Sequence, residues 1–281
     1  MSWQGALRLA YRRDALRGEP RTVLHDRHDG PLRVLASLYP EGPSICHSVL
    51  VHPPGGLVGG DALTIDLTLE PGAHALVTTP GATRFYRSTG APATQQLNAS
   101  VADGARLEWL PLETIAYSGC IAENAVRFAL APGAEMIGWD VLALGLPASE
   151  QAFERGRFTQ SVEWPGRWLE RGTIAASDTL LLDSPLGWDG RRVLGLLWFA
   201  AGSALPAARR DALLGAAREL IDADEALRTH AGATAPNDAL VVLRVLAPRV
   251  EPAMALLARV RAAWRGLAWQ LPAAPPRVWR T

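Results

Sequence analysis

The side chains best suited to chemistry in this chain are scattered acids, thiols and imidazoles, and their spacing decides what they can do. Ile45-Cys46-His47-Ser48-Val49-Leu50-Val51-His52 offers the donors a transition metal favours. On a strand, Cys46 and His52 would share a face but stand about 20 Å apart, at roughly 3.3 Å per residue, while His47 points the other way. They cannot close around one ion, and no CxxC, HxH or His-rich tract occurs elsewhere, so a tight, dedicated metal site is not expected. His47, His52 and His74 lie among many Ser and Asp residues, but no G-x-S-x-G elbow is present and neither cysteine sits in a nucleophile context. Glu108, Glu113, Asp140, Glu163 and Glu170 could supply the paired carboxylates of a β-helical hydrolase, although sequence sets no distance between them. Asp140 in MIGWDVLALG and Glu170 in RWLERGTIA interrupt apolar strands. A carboxylate facing inward there must be paired, hydrated or bound to a cation; one facing water or an arginine needs nothing further.

A glycine loop runs from Pro53-Pro54-Gly55-Gly56 to Gly59-Gly60-Asp61. Such loops can present backbone N–H groups to anions, but a P-loop needs a lysine and this chain has none; all 28 basic residues are arginine. A dinucleotide fingerprint must open a helix, and here a strand follows. Nucleotide binding is therefore not expected, and Schiff-base chemistry is excluded with the lysine. Arginines and 28 acidic residues balance, so no bulk field draws the chain to nucleic acid or an anionic membrane. The start, MSWQGALRLAYRR, reads without an apolar leader, and the longest run free of acidic, basic and histidine residues, 193–208, falls short of the roughly 20 residues of a spanning helix. A cytoplasmic location and free thiols at Cys46 and Cys120 are the expectation.

The elements that must position these residues are mainly β. Ile65, Leu67 and Leu69 alternate with Thr64, Asp66 and Thr68, the period of a half-buried strand. A turn signal then recurs at Glu70-Pro71-Gly72-Ala73, Ala102-Asp103-Gly104-Ala105 and Ala131-Pro132-Gly133-Ala134, each between an alternating strand and an apolar one. The repeated strand-turn-strand unit predicts a layered or β-helix-like body. Further β segments are expected at 23–38, 156–163, 168–176, 193–200 and 239–247. Helical spacing places amphipathic helices near 207–230 and 252–269. The chain is expected to be one domain over 1–281, with a β-rich body (1–200) and an α/β C-terminal portion (201–281).

Several segments together resemble the urease accessory proteins of the D type, called H in some organisms. They are HPPGGLVGGD, TTPGATRFYRS, WQGALRLAY, CHSVLVHPPGG, GARLEWLPLETI, GWDVLALGLPAS, LERG, SPLG and PRVWRT, which span nearly the whole chain. Leu112 and Leu146 depart from the usual pattern, where Gln and Arg are common. The resemblance implies a non-enzymatic scaffold that binds apo-urease and accessory protein F, with the GTPase, accessory protein G, recruited through F. It implies no tightly bound cofactor. It also implies nickel(II) in transit along an internal polar passage, lined by Asp61, Thr78, Thr83, Ser88, Asp140 and Glu170. Trp164, Trp168 and Trp188 are the expected interface aromatics.

Overall fold

The computed structural model describes residues 2–16, 18–146 and 149–280, so Pro147 and Ala148 of the GLPAS motif and the terminal Thr281 lie outside the described residues. Three strand-turn-strand units build the body. Strands β5 (Ala62–Leu69), β8 (Ala93–Val101) and β11 (Cys120–Leu130) each cross a tight turn into β6 (His74–Thr78), β9 (Arg106–Leu110) and β12 (Glu135–Leu144). The first set pairs in parallel in one sheet and the second set in another. Between coils the chain makes a short third face: β7 (Thr83–Phe85) pairs in parallel with β10 (Thr114–Ala116), which pairs in turn with β12. The result is a short, solenoid-like stack of coils, mainly β as the repeated turns predict.

The turns explain the stacking. Ala73, Ala105 and Ala134 donate back to Glu70, Ala102 and Ala131, and the third residues, Gly72, Gly104 and Gly133, all have positive φ (69°, 65° and 79°). That is the type II pattern, with Pro or Asp in second place. Successive turns then bond one another: Gly72 N–H donates to Asp103 O (3.0 Å) and Glu135 N–H to Ala105 O (3.0 Å). The ladder thus passes round the corner from sheet to sheet.

Antiparallel strands close both ends of the stack. At one end β1 (Gln4–Leu16) pairs in parallel with β5 and carries β2 (Glu19–Asp29), while β3 (Arg33–Leu38) covers β4 (Ile45–Val51), itself parallel to β6. The β segment expected over 23–38 is therefore two strands, broken by a turn at Gly30-Pro31. At the other end β13 (Gly156–Trp164) extends the first sheet and β14 (Trp168–Ala175) folds back on it. The second sheet continues from β12 through β15 (Val193–Ala201) and β17 (Leu240–Ala247) to β16 (Ala231–Asn237).

One core lies between the sheets and includes Leu67, Leu107, Met136 and Trp198; a second fills the outer face of the larger sheet beneath two C-terminal helices. A single-turn helix, α1 (Thr179–Asp183), precedes them. Helix α2 (Ala207–Asp222) buries Leu213, Ala217 and Ile221, and α3 (Val250–Trp269) buries Leu256, Leu257, Val260 and Trp264. The first ends before the expected residue 230, because the chain turns at Asp224, whose side chain accepts from Leu227 N–H (3.1 Å), and Leu227 is buried. Among the described residues no helix is long and apolar enough to cross a membrane; this says nothing of β-barrels.

Candidate functional site

A polar rung interrupts the inter-sheet core. Gln95 on β8, Asn124 on β11 and Gln160 on β13 are neighbours in register and face inward from the first sheet. Asp140 faces them from β12, because Met136 and Leu142 on the same strand also point inward while Trp139 points toward the helices. Gln95 Nε2 donates to Asn124 Oδ1 (3.2 Å), and Asn124 Nδ2 donates to Asp140 Oδ2 (3.1 Å). Asp140 is 4% exposed. Burial pushes its carboxyl up to about 6, against the opposing pull of the Gln160 and Asn124 amides. A chamber of about 10 Å³ lies here, lined by Thr83, Thr114, Gln95, Asn124 and Asp140. It is at the limit for a single water.

Wider cavities touch residues of the rung outside the chamber. One of about 340 Å³ shares Thr83, Gln95 and Trp109 with it and is bounded by His52, the Gly55-Gly56 loop and Thr79 to Arg84. His52 Nε2 is buried there without a hydrogen-bond partner, and burial holds the imidazole below its ordinary pKa despite Asp61. The other, of about 180 Å³, is lined by residues that include Gln160, Glu170 and Arg244 and shares none with the chamber.

The two halves of the glycine-loop signature form one unit. Leu57 donates to Arg84 O (2.7 Å) and accepts from Tyr86 N–H (2.8 Å), which lays the loop along β7. This requires glycine: a Cβ on Gly56 would stand 2.3 Å from Tyr86 Cε2, and one on Gly59 would stand 2.2 Å from Ser88 Oγ and 2.7 Å from the Ala91 carbonyl oxygen. Asp61 locks the loop, accepting from Trp3 N–H (2.7 Å) and Val58 N–H (2.9 Å). Ser88 Oγ donates to the Ala91 carbonyl and accepts from Gly90 N–H.

Of the six residues expected to line a passage, the structure brings only Thr83 and Asp140 into one chamber. Asp61 and Ser88 are spent on the loop backbone. Thr78 lies on the opposite face of its sheet, where Oγ1 donates to Leu110 O (2.6 Å) and accepts from Trp279 Nε1 (2.9 Å). Glu170 is partly exposed and bonded to Arg244 (Nε to Oε1, 2.8 Å). Gln95, Asn124 and Gln160 were missed because amides on a strand look like solvent-facing residues; their signal is one polar residue at the same rung of three successive coils. Of the aromatics expected at interfaces, Trp164 and Trp188 are core residues, 4% and 7% exposed, and Trp168 packs partly buried against the core.

Comparison with known proteins supplies the rest. The profile of the UreD urease accessory protein matches residues 4–280. The chain is 64% identical over 281 residues to "Urease accessory protein UreD" of Leptothrix cholodnii, covering 100% of both chains. It is 62% identical to the protein of that name in Paracidovorax citrulli and 60% to that in Polaromonas naphthalenivorans, over 279 residues and 99% of each chain. The chain belongs to the UreD urease accessory protein family. That family name denotes an accessory factor, and the fit of the signature loop to β7 gives the UreD pattern a physical basis in backbone approach.

In this UreD-family chain the acids proposed for hydrolase chemistry are dispersed. Glu163 pairs with Arg127 (3.6 Å) and Glu170 with Arg244, and among the described residues Asp140 is the only carboxylate lining its chamber. Glu108 lies on the other face of the sheet, fully buried, with Arg261 at 2.6 Å and Arg265 at 3.3 Å. Burial alone would raise the Glu108 carboxyl, but the guanidinium of Arg261, with His74 and Arg265, brings it down to about 2. Glu41 extends this network, binding Arg265 (2.7 Å) and His47 (2.8 Å), and so pins α3 to the sheet. Among the described residues no three His, Cys, Asp or Glu side chains converge to hold one metal ion.

Proposed function

We propose that this chain is a non-enzymatic scaffold of urease maturation that binds apo-urease and accessory protein F, and through F the GTPase G, and that assists nickel insertion. Nickel(II) is its cargo, passed along the polar rung rather than stored. The observation that carries this reading is Asp140, a carboxylate held inside an apolar core opposite the three amides, two of which, Gln95 and Gln160, also line wider cavities. A buried carboxylate without a cationic partner is unfavourable alone and favourable beside a divalent cation. Amide oxygens, threonine hydroxyls and one carboxylate make a weak donor set for nickel, which suits an ion that must leave. His52, with a neutral imidazole and an unsatisfied nitrogen, is a donor at the mouth of the wider cavity. The chamber is too narrow for a hydrated ion, so passage requires side-chain movement at Gln95 or Asn124, or stepwise exchange of waters for protein oxygens.

The test is reconstituted activation of apo-urease with F and G, using this chain or its Asp140→Ala, Thr83→Val or His52→Ala variants. Intact assembly with loss of urease nickel and activity is the expected result. Full metallation by Asp140→Ala in an intact assembly would sink the passage. Equal metallation with and without the chain would sink the maturation role.

A further inference from the structure

A separate cavity, of about 280 Å³, lies away from the polar rung, where the β1–β2 hairpin, the loop before β4 and the starts of β6 and β9 meet. Three arginines line it, Arg13, Arg21 and Arg106, together with His74, and among the described residues no carboxylate does. His74 and Arg106 occupy the same rung as Glu135, on the face of the sheet opposite Asp140. None of the three arginines forms an ion pair among the described residues.

Their existing contacts are weak or incomplete. Arg13 Nη1 donates to the Gly72 carbonyl (3.1 Å). Arg21 lies over the Tyr39 ring at 4.4 Å, with its Nε buried and unpartnered. Arg106 lies over the Trp269 ring at 5.5 Å, and burial, with Arg209 nearby, holds its pKa below the ordinary value although Glu135 pulls the other way. His74 Nε2 is also buried without a hydrogen-bond partner, 3.7 Å from Glu108. Glu135 is committed to Arg209 and Trp269 and Glu108 to Arg261 and Arg265, while Asp14 stands opposite Arg21 across the β1–β2 hairpin, outside this cavity's lining.

Three guanidiniums thus line one cavity whose described lining holds no carboxylate, and Arg21 Nε and His74 Nε2 among its lining residues lack hydrogen-bond partners. We propose that this cavity is an oxyanion site that takes a phosphate-class group. Guanidinium forks match the oxygens of such a group in geometry as well as charge. Bound there, the anion would tie the β1–β2 hairpin to the turn corner at Gly72 and Gly104.

The test is calorimetric titration of the full chain, in complex with its accessory partners, with inorganic phosphate at constant ionic strength. One saturable site per chain is expected, weakened about tenfold or more by Arg13→Gln or Arg106→Gln, since each removes a charge-assisted hydrogen bond. Arg12→Gln, which removes a surface partner of Glu70, is expected to leave it unchanged. Because Arg13 is exposed, its variant stays folded, and a phosphate-dependent rise in the wild-type melting temperature gives a second readout. A parallel titration with phosphoserine separates sources: binding of phosphate alone identifies the free ion, and binding of both identifies a phosphoryl group on a larger molecule. Absence of saturable binding, or binding that both variants leave intact, would overturn the site.

Discussion

Replacing Asp140 with Asn should make the protein more stable and less able to support urease activation. In the folded chain the carboxyl titrates at about 6, against 3.8 for the unperturbed group. The folded state therefore keeps its proton to higher pH than the unfolded state. The resulting penalty is absent below the unfolded value, grows as pH rises toward the folded value and is complete above it. A displacement of roughly 2 pH units corresponds to about 3 kcal/mol, at about 1.4 kcal/mol per unit. Asn resembles the protonated acid in shape and can still accept from Asn124 Nδ2, so Asp140→Asn removes the penalty. At pH 7.5 the gain should be about 3 kcal/mol, or roughly 5–10 °C in melting temperature. At pH 5 it should shrink to about half. Urea unfolding of both forms from pH 5 to 8 measures this, alongside reconstituted urease activation. A variant less stable than wild type at pH 7.5, or a gain independent of pH, would refute the account of Asp140 as an uncompensated buried acid.

Other expectations follow from the same geometry. Glu108→Gln removes the paired carboxylate of buried Arg261 and one of the two of Arg265, which keeps Glu41, and should destabilise by about 3–5 kcal/mol in denaturant titration, loosening α3 first by hydrogen exchange. Gly59→Ala forces a methyl against Ser88 and the Ala91 carbonyl and should lower stability by about 1–3 kcal/mol. Glu170→Gln breaks an ion pair in which both partners are more than a third exposed; its effect on stability should stay within about 1 kcal/mol. Cys46 and Cys120 are both free and buried, with the Cys120 thiol pushed up to about 12 by burial. A thiol reagent at pH 8 should leave both unmodified in the native chain and label both after denaturation.

Much of the architecture was legible because it is local. The three Gly-centred turns, their spacing and the change from alternating to apolar strands dictate a repeated corner between two sheets, and helical spacing after residue 201 dictates the two C-terminal helices. The signature loop was legible as a pattern but not as a contact, since the closeness of Gly56 and Gly59 to Tyr86 and Ser88 arises only when the coil closes. Thr78 and Glu170 show the converse. Each sits where a polar lining residue would be expected, yet strand parity turns Thr78 toward Trp279, and Arg244, distant in sequence, takes up Glu170.

The sequence alone determined the repeating unit, the free thiols, the absence of lysine chemistry and the resemblance to the UreD family, because these depend on residue type and short-range spacing. Tertiary structure decided which polar residues meet. Register places Gln95, Asn124 and Gln160, from three successive coils, on one rung opposite Asp140, and a shift of a single residue would turn any of them out of the core. It also gathered Arg13, Arg21 and Arg106 around one cavity and joined Glu108 to Arg261. No local rule encodes these pairings, which arise only when the sheets and α3 pack.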